Sequence, residues 1–400
     1  MTDAALPQRA PQLDTAYAVI FAVSFCHFLN DILQSLLAAL YPMLKEDFSL
    51  DFWQIGMLTL AFQVTASLLQ PVVGLVTDKH SLPRSLPVGM GASLCGLVLL
   101  AFADTYPLLL AGAAMIGLGS AVFHPEASRV ARAASGGRFG FAQSTFQVGG
   151  NFGHAAGPLL AAFIVVPRGQ ASVAWFTLAA FLGMAILWQV SSWYARAASA
   201  GARRALPAKF PALTRGRIVA ALVVLALLTF SKNIYMAGIS SYYTFYVIER
   251  FGVDVQDSQL LLFVFLAASA VGVFMGGPIG DRWGPKTVIW FSILGVLPFT
   301  LALPYADFGW TVALTVAIGL VMSSAFPAIL VFAQELVPGR VGLIAGIFFG
   351  FAFGMGGIAA AALGALADRT GIEYVFWLIS FMPALGLLAI FLPTEGRAAR

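Results

Sequence analysis

Charge is what this chain has least of. Only 10% of its 400 residues are Asp, Glu, Lys or Arg, against about 25% in ordinary soluble proteins, so it lacks the side chains to cover two or three water-soluble domains. Cysteine is nearly absent as well. Cys26 and Cys95 both lie in apolar runs, which leaves neither a disulfide framework nor a cysteine zinc site. No Gly-x-x-x-x-Gly-Lys-Ser/Thr loop occurs, so nucleotide-driven pumping is not expected. The alternating segments of about 10 residues that build a membrane barrel are missing too.

What remains is 60% hydrophobic, with 40 Gly and 34 Phe. A bilayer core needs roughly 20 apolar residues per helix, and runs of that kind fall at 16–42, 53–76, 86–103, 107–130, 139–164, 172–194, 217–247, 258–279, 286–305, 308–333, 341–366 and 371–392. No cleavable signal is expected, because the first run is too long and follows a polar start of mixed charge. The expected architecture is an all-α polytopic membrane protein of twelve transmembrane helices. Its parts are an N-terminal tail 1–15, a six-helix bundle 16–194, a basic linker 195–216, a second six-helix bundle 217–393 and a short tail 394–400. The basic residues sit in connectors rather than in a patch interleaved with stacking aromatics, which argues against a nucleic-acid partner.

Orientation follows from the placement of Lys and Arg. With the N-terminus inside, 17 of the 22 lie in cytoplasmic segments, among them Arg9, Arg203, Arg204, Lys209, Arg397 and Arg400. The outer side holds only Lys45, Arg168, Arg250 and Arg369, and Lys232 falls within a span. Both termini are therefore expected in the cytoplasm.

The two bundles resemble each other at an offset near 203 residues. Gly74-Leu-Val-Thr-Asp78-Lys79 follows the second span and Gly277-Pro-Ile-Gly-Asp281-Arg282 the eighth. Gly137-Arg138 corresponds to Gly339-Arg340, and Ala174-Trp175-Phe176 to Phe376-Trp377-Leu378. Paired related bundles with a site near the midplane between them are the build of secondary transporters.

The Gly-xxx-Asp-Lys/Arg loops resemble the loop signature of the major facilitator superfamily, and Gly149-xxx-Gly153-xxx-Gly157-Pro158 resembles its antiporter motif. More narrowly, His27-Phe-Leu-Asn30-Asp31, Phe123-His124-Pro125-Glu126, Gln143-Ser-Thr-Phe-Gln147-Val-Gly-Gly-Asn151 and Ser240-Ser-Tyr-Tyr-Thr-Phe-Tyr246 resemble a drug-resistance branch of it, the fosmidomycin exporters. The resemblance covers nearly the whole chain. It implies a monomeric secondary transporter of a bacterial inner membrane, with no enzymatic activity. Small anionic drugs would leave in exchange for protons, and protons would be the coupling ion in place of any cofactor or metal. A phosphonate and a hydroxamate, the groups fosmidomycin carries, imply a cationic, hydrogen-bonding cavity.

Ionisable residues inside spans are the candidates, because they are expensive in lipid. His27 and Asp31 share a face of the first span, with Gln34 one turn on and Asn30 beside it. They are either a proton-accepting carboxylate with a histidine that titrates near neutral pH, or a neutral polar knot locking helices together. His124-Pro125-Glu126 and Arg129 lie in the fourth span. Glu126 reads as a proton carrier with His124 a modulator or a substrate contact, or else as part of an ion pair with Arg129 at the water boundary. Lys232, placed by the repeat opposite His27, needs an anion: Asp31 or Glu126 when the cavity is empty, substrate when it is loaded. A permanent pair with one carboxylate is the alternative.

Lys232, Arg129, Asn30, Gln34, Gln143, Gln147, Asn151, Tyr235, Tyr242, Tyr243 and Tyr246 are the expected substrate contacts. Gln143, Gln147 and Asn151 form one polar stripe. His154 lies about 60° from it at 100° per residue, so the stripe does not decide whether it faces the cavity. The expected gate comprises Gly74, Asp78, Lys79, Arg84, Arg138, Gly277, Asp281, Arg282 and Arg340. In it Asp78 would cap the start of span eleven near Arg340, and Asp281 the start of span five near Arg138, since helix N-termini present free N–H groups and partial positive charge. The first copy departs from the superfamily pattern in having no Gly within Lys79-His80-Ser81-Leu82-Pro83-Arg84.

Overall fold

A computed structural model describes residues 15–50, 52–80, 82–199, 213–253 and 255–394. Most of the two tails and the central linker, including Arg9, Arg203, Arg204, Lys209, Arg397 and Arg400, lie outside the described residues. Everything regular among the described residues is helical.

Eleven helices there are long and apolar enough to cross a membrane: Tyr17–Ala39, Met57–Lys79, Ser85–Phe102, Tyr106–Ala134, Gln170–Ala197, Arg215–Phe251, Leu260–Trp283, Pro285–Tyr305, Phe308–Leu336, Val341–Thr370 and Ile372–Phe391. A further long helix, Phe139–Leu160, occupies the expected fifth span and carries the polar stripe. Counting it in chain order gives the first to twelfth helices used below.

In lipid no hydrophobic gain drives helix against helix, so close backbone approach and polar contacts must hold them. The first and fifth helices pack along their lengths because glycine removes the obstacle. A Cβ built on Gly149 would lie 1.9 Å from the Ser24 carbonyl oxygen, and one on Gly153 2.4 Å from that of Phe28. Ser24 Oγ uses the proximity to donate to the Thr145 carbonyl at 2.6 Å.

The two halves meet along two seams, the second helix against the eleventh and the fifth against the eighth. At one end of each the backbones touch. A Cβ on Gly74 would stand 2.1 Å from the Gly342 oxygen, and those on Gly140 and Gly277 would each stand 2.3 Å from the other's carbonyl oxygen. The recurrence of this contact at positions related by the internal repeat is the reason one end of the molecule is shut.

Gly149→Ala is expected to destabilise by about 1–3 kcal/mol through overpacking against Ser24. Gly354→Ala, where an added methyl meets nothing within 4 Å, stays within about 0.5 kcal/mol of the parent. Unfolding of the purified protein in SDS checks both.

Candidate functional site

The first helix presents Asp31, only 2% exposed, to a collar of donors. Asn30 Nδ2 and Gln34 Nε2 donate to Oδ1 at 3.0 and 2.8 Å. His154 Nδ1 lies 2.9 Å from Oδ2, and His27 Nε2 3.2 Å from the same oxygen. His124 Nε2 stands 3.6 Å from Oδ1. The carboxylate can be gripped this closely because Gly150 and Gly153 back it: a Cβ on Gly150 would fall 2.5 Å from the His27 ring and 2.7 Å from Asp31 Oδ2.

His27 Nδ1 faces the Phe146 carbonyl at 2.8 Å; a carbonyl only accepts, so this nitrogen donates. His27 Nε2 then meets Asp31 Oδ2 and His124 Nε2, each at 3.2 Å. His124 Nδ1 lies 3.0 Å from the Ser120 carbonyl and 3.2 Å from the Ser120 hydroxyl, so either tautomer of that ring finds a partner. The two rings and the carboxylate form one contiguous buried cluster.

The three groups also bring ligand atoms within 4.8 Å of one another, as a metal site would. Both carboxylate oxygens are also engaged by donors outside that trio, Asn30, Gln34 and His154.

His154 differs from the other two histidines in exposure. Its side chain is 47% accessible, whereas His27 and His124 are 2% and 0% exposed. It faces a cavity of about 800 Å³ that Gln147, Asn151, His27, Asp31 and His124 also line on the N-terminal side. Across the cavity stands Lys232, whose Nζ lies 5.5 Å from the centre of the Phe326 ring. It forms no ion pair with Asp31, Glu126 or any other described residue, contrary to the expected partnership. Ser269 and Ser323 line the same side, 6% and 2% exposed, and their hydroxyls find no partner among the described residues. Phe326 and Phe349 pack edge to face at 5.4 Å, and Phe349 lies 5.2 Å from the His124 ring, so an aromatic wall joins the two poles.

Several expected substrate contacts lie elsewhere. Tyr235, Tyr243 and Tyr246 are at most 1% exposed, in the core of the C-terminal half. The seventh helix turns Lys232, Asn233, Met236 and Ser240 to the cavity and the adjacent tyrosine stripe to its own bundle. Tyr242 donates to the Ala360 carbonyl at 2.6 Å. Gln143 is buried, accepting from Ser128 Oγ at 2.9 Å. Asn30 and Gln34 serve Asp31 rather than line the cavity.

Arg129 and Glu126 are likewise outside the cavity. Arg129 donates to Asp78 Oδ1 at 2.7 Å and to the Thr77 carbonyl at 2.6 Å, with Glu126 Oε1 at 3.3 Å and Ser85 Oγ on Glu126 Oε2 at 3.3 Å. Both halves of that ion pair are buried beside the shut end of the molecule. Asp78 in turn takes the N–H groups of Gly342 and Leu343 at 3.0 and 2.8 Å. Asp281 takes those of Gly140 and Phe141 at 2.7 and 2.8 Å.

The basic gate candidates face outward instead. Arg84 lies over Trp188 at 4.4 Å, Arg282 over Trp283 at 5.4 Å, and Arg138 donates to the Tyr17 hydroxyl. Lys79 and Arg340 are exposed.

The sequence undervalued His154, which is about 60° from Asn151 but only about 20° from Gln147, and it missed Ser269, Ser323 and Asn233 altogether. The serines carry no periodic signal and become a pair only when the eighth and tenth helices pack. Asp78→Asn is expected to raise amide hydrogen exchange through 341–345 and Asp281→Asn through 139–143, each by about tenfold or more, because each loses a charge-assisted acceptor. Mass-spectrometric exchange on the purified protein measures this.

The sequence profile of the Major Facilitator Superfamily matches residues 23–348 and 225–400. The chain is 56% identical over 379 residues to the fosmidomycin resistance protein of Escherichia coli strain K12, covering 95% of this chain and 93% of that protein. It is 42% identical over 385 residues to the uncharacterized MFS-type transporter YfnC of Bacillus subtilis strain 168, covering 95% and 94%. The fold superposes on the transporter FucP in its outward conformation with TM-score 0.73 at 18% identity, covering 95% and 99% of the two chains. It superposes on the human organic anion transporter MFSD10 with TM-score 0.74 at 15% identity, covering 96% and 100%. A buried carboxylate cluster facing a lone ammonium across a cavity, on a twelve-helix frame shut at one end, thus sits in a chain that belongs to the major facilitator superfamily and is a polytopic membrane transporter.

Proposed function

We propose that the chain works as a monomer in a bacterial inner membrane and exports small anions, fosmidomycin among them, in exchange for protons by alternating access. The observation that carries this reading is the opposition in one cavity of a buried histidine–carboxylate cluster and an ammonium with no carboxylate partner among the described residues. The relative named for fosmidomycin resistance supports the substrate. With both termini in the cytoplasm, the end capped by Asp78 and Asp281 is the inner end, and the cavity opens outward.

Lys232 then seats the anionic head. Gln147, Asn151 and His154 meet the rest of the substrate. His154 is the port through which a proton from the outside reaches Asp31. While ionised, Asp31 accepts a hydrogen bond from a donor group such as a hydroxamate. Once protonated, one oxygen becomes a donor and the other a weaker acceptor, so the proton loosens the hold on the substrate, as exchange demands. Breaking the caps of Asp78 and Asp281 would open the inner end, with Arg129 keeping Asp78 from being left an unpaired buried charge.

One electrostatic fact favours the alternative of proton-coupled uptake. A proton added to the cluster adds positive charge to a cavity that holds an anion, and this attraction alone would make the two travel together. Flux decides between them. In proteoliposomes loaded with labelled fosmidomycin, an acidic exterior should accelerate efflux; accumulation driven by the same gradient would establish cotransport instead. Lys232→Ala should weaken substrate binding about tenfold to hundredfold, the worth of a charge-assisted hydrogen bond. Asp31→Asn and His154→Gln should abolish the response to the gradient while drug-for-drug exchange persists. Full pH-driven flux in all three variants would sink the site assignment.

A further inference from the structure

The wall of the cavity away from its polar groups has no use in the chemistry above. The eighth helix turns Phe263, Ala267, Ala270, Val271 and Phe274 into it, and the fifth helix contributes Phe152 from the other side of their seam. These side chains are open: Phe263 is 66% exposed, Phe152 56%, Val271 50% and Phe274 45%. The two helices touch at Gly140 and Gly277, yet towards their other ends both line the same space, so the apolar stripe follows the open part of the seam.

These apolar side chains line the same cavity as Lys232, His154 and Asn151, so the apolar stripe ends at a few convergent polar groups, the make-up of a ligand pocket. The volume points the same way. About 800 Å³ lies within the roughly 300–1,000 Å³ that holds drug-sized ligands, and one phosphonate or carboxylate at Lys232 fills a small part of it.

We propose that the seam between the fifth and eighth helices is a subsite for a hydrocarbon or aromatic tail, and that the transported anions include single-chain amphiphiles. The anionic head sits at Lys232, and the tail lies along Phe263, Ala267, Val271 and Phe274 opposite Phe152. The head position rests on the anion site assigned to Lys232 above; the tail subsite does not. Because the stripe follows the seam, such a molecule can reach the head site from the membrane with its tail still covered by apolar surface.

The test is a series of n-alkylphosphonates from methyl to octyl, kept below their aggregation concentrations. Direct calorimetric binding to the protein in nanodiscs is measured against empty nanodiscs. The expected result is a Kd that falls about fourfold per added methylene until the stripe is covered. Phe263→Gln and, separately, Val271→Gln should flatten that slope to under about twofold per methylene. Lys232→Gln should weaken the whole series while leaving the slope intact. A flat series for the parent protein, or a slope that neither stripe variant alters, overturns the tail subsite and leaves a site for small anions only. Loss of methylphosphonate and fosmidomycin binding with octylphosphonate binding and its slope retained would instead remove the head assignment and keep the tail subsite.

Discussion

Contact between helix backbones is the constraint on which the remaining features depend. Inside a bilayer, apolar side chains gain nothing by leaving lipid for protein, so helices hold together where they can approach closely and satisfy polar groups. In this chain glycine supplies the approach at two kinds of place. Along the first and fifth helices, Gly149, Gly150 and Gly153 bring the two backbones together and enclose Asp31 between them. At one end of the molecule, Gly74 against Gly342 and Gly140 against Gly277 bring the halves together. The first contact makes a dry carboxylate site; the second shuts one end so that the cavity has a floor.

Electrostatics is then distributed by what each contact leaves room for. The negative group is enclosed and surrounded by histidine and amide donors, and the lone ammonium stands across the cavity against an aromatic face. The two aspartates at the shut end perform the same act in each half, accepting two N–H groups from the start of a helix in the other half. Asp78 is also held from behind by Arg129.

How far the site could be read from the chain alone depended on what kind of signal each residue gives. Asp31, His27 and His124 stood out because ionisable groups are costly in lipid, and they do converge. The same rule marked Glu126 and Arg129, which satisfy each other beside the shut end rather than in the cavity. Cost in lipid identifies a residue that must be paired; it says nothing about whether its partner is substrate or protein. The tyrosines of the seventh helix show the complementary limit. Their hydroxyls suggested substrate contacts, yet the faces of one helix differ by a small rotation, and Tyr235, Tyr243 and Tyr246 turn into the bundle while Lys232 does not.

Composition, the length of the apolar runs and the internal repeat determined by themselves that this chain is a twelve-helix membrane protein built from related halves. Those properties follow from solvation and chain length, which act residue by residue and survive without knowledge of neighbours. Only the tertiary structure decided that His154 reaches Asp31, that Lys232 stands without a carboxylate partner among the described residues, and that an apolar stripe lines the same space. Each of these depends on the rotation and spacing of helices far apart in the chain. That geometry is set by glycine contacts whose partners no local pattern names.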